Sequence, residues 1–342
     1  MGLLLMSNAT THDDGPRWLR WVMALVMLPA ALLAAALLTY VGGVGGELSP
    51  MRLGLGLAVL VAMVVWPVTL GIKRGGLLAA LLAVLVGVFF IAQRPAAERD
   101  WQENVSRSPR ATIEGREVTL RHVRDFRYDE EGEVEEARWY DATYNLDAMK
   151  QAYFILTTFG GVPGVAHVMV SFEFEDDRFV VLSAEARREE GESYDPIGGM
   201  FRQYELFYVA ADERDALGLR TYVHKDPTWV IPMNAGPEKT AEFFVDMVER
   251  MEALATQPSW YHTVLNSCSS NLAAHYERIN AVELPPDYRV LLPGFSEELI
   301  AELDLLPEGM SVAQARERFL INERALAAPL DANFSKAIRS TP

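Results

Sequence analysis

The hydrophobic residues follow two different patterns along the chain. Before residue 93 they form three long uncharged runs, roughly residues 21–41, 53–72 and 76–93. Each run is close to the ~20 residues that span a bilayer core as a helix. The first run follows Arg17 and Arg20, as a signal peptide core would, but it is longer than such a core and two more runs follow it. We therefore predict three retained transmembrane helices.

After residue 93 the pattern changes to short segments that indicate an α+β fold. Alternation of apolar and polar residues predicts strands over 116–128, 138–146, 166–174, 178–186, 200–212 and 228–233. An acidic turn at 129–136 separates the first two strands. Helical spacing predicts helices over 146–159, 236–255, 291–303 and 311–326, with a short helical or turn segment at 212–221.

The same patterns divide the chain into four parts. Residues 1–93 form the membrane anchor, and residues 94–109 are a polar, proline-containing linker. Residues 110–284 form an α+β domain, in which we expect an antiparallel sheet to pack on the helix that carries Cys268. Residues 285–342 form a helical extension that packs on this domain or returns to the membrane surface.

The two parts of the chain, before and after residue 93, also differ in net charge. The net charge is −16, yet basic side chains outnumber acidic ones five to three before residue 93, so the acidic excess lies entirely in the later part. An acidic domain lacks the basic surface that neutralises phosphates, which argues against nucleic-acid binding. No ionisable residue lies in the middle of a span, which favours an anchor over a channel or pump.

Basic residues also predict the orientation in the membrane. Arg17 and Arg20 precede the first span, and Lys73 and Arg74 fall between the second and third, whereas the loop at 42–52 holds Glu47 and a single arginine. The positive-inside rule then places the N-terminus in the cytoplasm. Three crossings then place everything after Gln93 outside the cytoplasm.

One cysteine is the strongest candidate for chemistry. Cys268 is the single cysteine of the chain, which excludes an intrachain disulfide and makes a cysteine-based zinc site improbable. The surrounding sequence NSCSSN is typical of a helix N-terminus capped by Asn266 or Ser267. Backbone N–H groups at such an end stabilise a thiolate. The alternative is a small buried side chain without chemistry.

A base and a carboxylate are predicted on the central hairpin. If the turn is centred on Asp176, His167 and Glu185 lie directly opposite each other on one face. His167 would then lower the thiol pKa of Cys268, and Glu185 would orient the imidazole. The alternatives are that His262 is the base, or that Glu185 is an ordinary salt-bridge partner. His275 lies two helical turns beyond Cys268, too far to serve.

Further polar residues are candidates for substrate contacts. We expect the oxyanion or substrate contacts among Asn266, Tyr261, Arg187 and Tyr204. Arg187, Arg202 and Arg220 are candidates for binding an anionic group, or for salt bridges with the many acidic residues. A cation site from His167, Glu173 and Glu185 is the weaker alternative, and we expect neither a metal nor a cofactor.

Four segments resemble one bacterial family. GVAHVMVSFEF, LSAEARREEGE, GGMFRQYELFYVAADERD and WYHTVLNSCSSN are similar to the Lnb N-terminal periplasmic domain family. The similarity runs from about residue 111 to 281, and LLPGFSEEL resembles the family's C-terminal extension. The resemblance implies a membrane-anchored envelope protein.

A more distant resemblance implies a mechanism. A histidine strand, then a glutamate strand, then a cysteine at a helix start is similar to circularly permuted papain-like thiol enzymes, both NlpC-type peptidases and lecithin:retinol-type acyltransferases. The resemblance implies Cys268 as nucleophile, His167 as base and Glu185 as third member. The expected function is a periplasmic cysteine hydrolase or acyltransferase acting on an envelope peptide, protein or lipid. The alternative is a non-catalytic envelope assembly or chaperone-like module.

Overall fold

The computed structural model describes residues 16–40, 49–95, 98–129 and 131–340. Glu47, most of the loop at 42–52 and Glu130 of the acidic turn lie outside the described residues. The chain forms two compact units, one ending at Arg94 and the other beginning at Pro95.

The first unit consists of three long apolar helices, as predicted. They are α1 (Arg17–Tyr40), α2 (Pro50–Leu70) and α3 (Ile72–Ala92), and each is long and apolar enough to cross a membrane. One residue, Gly71, separates α2 from α3, and its φ of 84° is the left-handed backbone that glycine adopts readily. Lys73 and Arg74 therefore lie in the first turn of α3 and not in a loop, which corrects that prediction.

Small residues let these helices approach closely. A Cβ added at Gly75 would lie 2.0 Å from the backbone oxygen of Trp66, so only glycine fits where α3 packs on α2. Ala31 and Ala34 of α1 are buried in the same bundle. The Arg20 guanidinium donates to the backbone oxygen of Val68 at 3.5 Å, which places the start of α1 beside the end of α2.

The second unit is built on a large, mostly antiparallel sheet. Its strands are β1 (Arg110–Glu114), β2 (Glu117–Arg124), β5 (Trp139–Asn145), β6 (Met149–Thr158), β7 (Ala166–Phe174), β8 (Phe179–Arg187), β9 (Glu205–Ala211) and β10 (Thr228–Pro232). The strand order is β1-β2-β9-β8-β7-β6-β10, with β5 also paired to β2. The contact of β2 with β9 is parallel, so the sheet is mixed. Two short strands, β3 (Arg127–Tyr128) and β4 (Val134–Glu136), pair separately.

One predicted helix is a strand. The prediction of a helix over 146–159 is wrong, because residues 149–158 form β6 between β7 and β10. A continuous apolar run of this length fits a buried helix or a strand buried on both faces equally well by periodicity. Both faces of β6 are covered here: Phe154 belongs to the core on one face and Ile155 to the core on the other.

Helices cover both faces of the sheet. They are α4 (Glu213–Gly218), α5 (Pro237–Thr256), α6 (Cys268–Asn280), α7 (Tyr288–Leu291), α8 (Ser296–Glu302), α9 (Val312–Phe319), α10 (Asn322–Ala327) and α11 (Phe334–Ala337). On one face, Phe244 of α5 packs edge-on against Phe172 of β7, with ring centroids 5.0 Å apart. On the other face, Met169 of β7 packs in one cluster with Ala325 of α10 and Phe334 of α11. The result is a three-layer α+β arrangement.

The C-terminal extension is part of both outer layers. Ile300 of α8 and Ala315 of α9 pack in the same cluster as Val168 and Cys268. The chain then passes along β10, where the backbone N–H of Ile321 donates to Thr228 at 2.9 Å, before α10 and α11 reach the opposite face. The predicted second tail helix over 311–326 is thus two helices, because the chain turns around the sheet edge between them.

Candidate functional site

Cys268 is the first residue of α6, at the helix N-terminus that the sequence predicts. Ser267 is the N-cap, and it exchanges hydrogen bonds with Ser270 in a capping box. The Ser267 backbone N–H donates to the Ser270 hydroxyl at 2.7 Å. Cys268 is only 8% exposed, and it lines a cavity on one side while it packs with Val168 and Ile300 on the other.

The backbone around the sulfur provides hydrogen-bond donors. The backbone groups of Ser269 and Val168 both lower the pKa of the Cys268 thiol, as N–H groups near a sulfur do. The ladder between β7 and β8 ends at the pair Val170–Leu182, so Val168 lies beyond the last paired residues of that ladder. The end of this ladder and the start of α6 together place two N–H donors near one sulfur.

His167 and Glu185 meet on one face of the hairpin. The observed pairs Val170–Leu182 and Ser171–Val181 belong to the register that the sequence predicts, in which His167 lies opposite Glu185. The Nε2 of His167 lies 3.6 Å from Oε1 of Glu185. The same nitrogen is 2.7 Å from the hydroxyl of Ser183. The other ring nitrogen remains for the thiol, whose pKa the imidazole lowers.

The three side chains shift each other's pKa values in the directions of an ion pair. Burial on its own raises the thiol pKa of Cys268, but the His167 imidazolium and the N–H donors outweigh it and lower the pKa. Burial lowers the pKa of His167, yet the Cys268 thiolate and the Glu185 carboxylate raise it well above its ordinary value. The pKa of Glu185 is held low against burial, chiefly by His167. A thiolate beside an imidazolium is therefore the favoured state.

The site opens into a cavity of about 240 Å³. Cys268, His167 and Glu185 all line it. Tyr261, one of the predicted oxyanion or substrate residues, lines it as well, and its hydroxyl is 3.0 Å from that of Tyr194. Burial raises the pKa of Tyr261, and the neighbouring thiolate acts in the same direction. The phenol therefore stays protonated as a hydrogen-bond donor.

The other predicted contact residues lie outside the cavity lining. The Asn266 side chain donates to the Trp260 carbonyl at 2.7 Å, and the Tyr204 hydroxyl donates to the Ser193 carbonyl at 2.8 Å. The Arg187 guanidinium donates to the carbonyls of Val105 and Ser106 at 3.0 and 3.1 Å. It also stacks between the rings of Trp101 and Phe207, at 4.2 and 4.5 Å from their centroids. All three side chains hold loops in place.

The alternative bases are engaged elsewhere. Nδ1 of His262 accepts hydrogen bonds from the backbone N–H groups of Val264 and Leu265, each at 3.1 Å, within a turn. His275 is fully buried and binds the Tyr208 hydroxyl through Nε2 at 2.5 Å and Asp246 through Nδ1. Neither histidine lines the cavity.

The predicted cation ligand Glu173 is also occupied. Its carboxylate accepts hydrogen bonds from Lys150 at 2.7 Å and from the Tyr153 hydroxyl at 2.6 Å. It therefore does not join His167 and Glu185 in a ligand set.

Two residues of the candidate site were not predicted from the sequence, Ser183 and Tyr194. Ser183 lies two residues before Glu185 on β8, so the period of two places it on the same face, which is the signal that would have found it. Tyr194 lies in a loop, where no periodicity indicates its direction. It enters the site through its contact with Tyr261.

An α+β unit that carries this thiol–imidazole pair and follows three apolar helices defines a membrane-anchored protein. Residues 135–294, a little less than half of the chain, match the model of the Lnb N-terminal periplasmic domain family. This match confirms the predicted resemblance to a family of periplasmic domains. No curated protein and no solved structure matches the chain.

Proposed function

We propose that this protein is a membrane-anchored periplasmic cysteine hydrolase or acyltransferase. The observation that carries the proposal is the buried Cys268–His167 pair, with Glu185 beside the imidazole, in one cavity. The order of histidine strand, glutamate strand and cysteine helix supports a permuted papain-like arrangement. We place the protein in the inner membrane, with its N-terminus in the cytoplasm.

The geometry supports a two-step acyl transfer. The Cys268 thiolate attacks the carbonyl carbon of an amide or ester, and a carbon–sulfur bond forms as the carbonyl oxygen becomes an oxyanion. The oxyanion collapses, the bond to the leaving amine or alcohol breaks, and the His167 imidazolium supplies the proton. Water or an acceptor nucleophile then loses a proton to His167 as it attacks the acyl-enzyme, and the thiolate leaves.

The surroundings stabilise charge at each step. We assign the N–H of Ser269 and the Tyr261 phenol as donors to the developing oxyanion, because preorganised donors of this kind lower the barrier to acyl transfer. Ser183 and Glu185 hold Nε2 of His167, so the ring keeps one orientation and gains a proton readily. The substrate is a component of the cell envelope: a peptide, a protein or a lipid.

The single cysteine makes a direct test possible. Iodoacetamide alkylates the thiolate, so at about pH 6 we expect fast labelling of the wild type and none of Cys268→Ser. His167→Ala should slow labelling about 100-fold, because an ordinary thiol is almost fully protonated at this pH. His262→Ala is the matched control and should label at the wild-type rate. Equal rates for His167→Ala and the wild type would leave a tethered, non-catalytic module as the better explanation.

A further inference from the structure

The cavity around Cys268 contains more positive charge than the proposed chemistry uses. Arg124 is neutralised, because its guanidinium donates to both oxygens of Asp215 at 2.9 and 3.0 Å. Glu185 faces His167. The charges of these two lining residues are therefore already balanced within the protein.

Three further basic side chains line the same cavity: Arg188, Arg220 and His224. We refer to them as the basic subsite. The nearest carboxylate oxygen to Arg220 is that of Asp226, at 3.8 Å, which is a loose contact. Arg188 forms no ion pair within the part of the chain that the structure describes.

The backbone that carries Arg220 to the cavity has an unusual conformation. Leu219–Val223 forms a π-helical turn directly after α4, and both Leu219 and Arg220 line the cavity. π-helical turns are rare and occur frequently at functional sites. The turn places Arg220 beside the cavity, although the domain around it is strongly acidic.

We propose that the basic subsite binds an anionic group, a phosphate or a carboxylate, on the substrate whose acyl group Cys268 attacks. This inference rests on the proposed function and adds a substrate class to it. Arginine guanidinium groups match the planar geometry of both anions and bind them through paired hydrogen bonds. Binding in a cavity of about 240 Å³ would hold the scissile carbonyl close to the sulfur.

The state of His224 agrees with an excess of positive charge. Burial lowers its pKa, Arg220 and Arg188 lower it further, and Asp226 opposes them only in part. An anion bound among these three side chains would offset the charges of Arg188 and Arg220 and let His224 take up a proton more readily. The subsite therefore favours an anionic ligand over a neutral one.

Two alkylating reagents of nearly equal size test the proposal. Iodoacetate carries a carboxylate where iodoacetamide carries an amide, and with both the Cys268 thiolate forms a carbon–sulfur bond as iodide leaves. We expect Arg188→Gln and Arg220→Gln each to slow iodoacetate about tenfold, the effect of one lost charge-assisted hydrogen bond. The rate with iodoacetamide should change less than about twofold, because the amide carries no charge. Arg220→Lys should retain most of the iodoacetate rate.

The control is Arg318→Gln, which removes the same charge from the exposed surface of α9 outside the cavity. It should leave the ratio of the two rates unchanged. A cavity variant that slows both reagents equally, or that matches the Arg318→Gln control, would overturn the subsite.

Protection experiments identify the anion. Iodoacetamide labelling is measured with inorganic phosphate or with acetate, at an ionic strength held constant with chloride because salt screens charges. Stronger protection by phosphate assigns a phosphate group, and stronger protection by acetate assigns a carboxylate. Protection that persists unchanged in the Arg188→Gln and Arg220→Gln variants would overturn the subsite. Fast, His167-dependent labelling by iodoacetamide in the same experiment preserves the proposed function, so the two ideas fail separately.

Discussion

Whether a buried thiol and a buried imidazole are protonated depends on the charges around each of them. In this protein the thiolate of Cys268 lies near two backbone N–H groups, and the imidazolium of His167 lies beside the Glu185 carboxylate. Each ionised group is stabilised by a partner that the fold holds in place. These pKa directions favour the thiolate and imidazolium over a pH range in which separate side chains would be neutral.

The pH dependence of alkylation follows from these pKa directions. Because the pKa of Cys268 is lowered and that of His167 is raised, the ion pair is lost only when acid protonates the thiolate or alkali deprotonates the imidazolium. We expect the iodoacetamide rate to be nearly constant between roughly pH 6 and 8. Glu185→Gln should lower the rate at neutral pH, because His167 then releases its proton more easily.

The His167→Ala variant provides the reference profile. Its rate should rise in one step, at or above the ordinary thiol range of about pH 8.5, because burial without the imidazolium raises the thiol pKa. The measurement is the second-order rate constant from about pH 4 to 10. A wild-type profile with one step near pH 8.5 would contradict the ion pair.

The sequence predicts the grouping of the three proposed catalytic side chains better than the residues around them. Cys268 is a candidate because it is the single cysteine, and His167 and Glu185 are candidates because a short turn leaves few possible registers. Ser183 is an ordinary strand residue until the direction of the His167 ring is known. Arg187 carries the charge expected of a substrate ligand, but its partners Trp101 and Phe207 are distant in sequence, so only the fold reveals its structural role.

At the scale of elements, the site depends on where one strand ladder stops and one helix starts. The end of the β7–β8 ladder leaves Val168 near the sulfur, and the capping box fixes the first turn of α6. The helix start was predictable because NSCSSN has a local capping pattern. Strand β6 was not predictable in this way, because an apolar run can form either a strand or a helix, depending on what packs on its second face.

A pair of capping boxes offers a matched test of the role of α6. Ser267 caps α6, and Ser311 caps α9 through the same kind of box with Gln314. We expect Ser267→Ala and Ser311→Ala each to lower the free energy of unfolding by about 1 kcal/mol. Only Ser267→Ala should also slow iodoacetamide labelling, by about threefold, because a loosened first turn moves the Ser269 N–H away from the sulfur.

The measurements are chemical denaturation and the labelling rate of each variant. The two variants share the loss of a cap, so the difference between them isolates the effect on the site. If both label at the wild-type rate, the capping box has a structural role only.

At the scale of the whole molecule, the helix bundle brings four basic residues to one end. Arg17 and Arg20 begin α1, while Lys73 and Arg74 begin α3, and the contact of Arg20 with Val68 places the end of α2 beside them. The sequence predicts this grouping from loop charges alone, although the lysine and arginine turn out to be helical. On the basis of the positive-inside rule, we propose that this end faces the cytoplasm.

This orientation gives the last prediction. In a Cys268→Ser background, Lys73→Cys and Glu308→Cys each place one exposed thiol, the first at the basic end of the bundle and the second in the C-terminal extension. We expect a membrane-impermeant maleimide to label Glu308→Cys in cells whose outer membrane is permeable and whose inner membrane is intact. Lys73→Cys should label only after the inner membrane is disrupted, and Cys268→Ser alone should not label.

The reverse labelling pattern would place the acidic unit in the cytoplasm, and a periplasmic substrate would then be excluded. Labelling of both introduced cysteines in intact cells would mean that α3 does not cross the membrane. The expected pattern requires α3 to cross, because without that crossing Glu308 would lie on the same side as Lys73. This experiment therefore tests the crossing of α3 and the compartment of Cys268 together, independently of whether the thiol reacts.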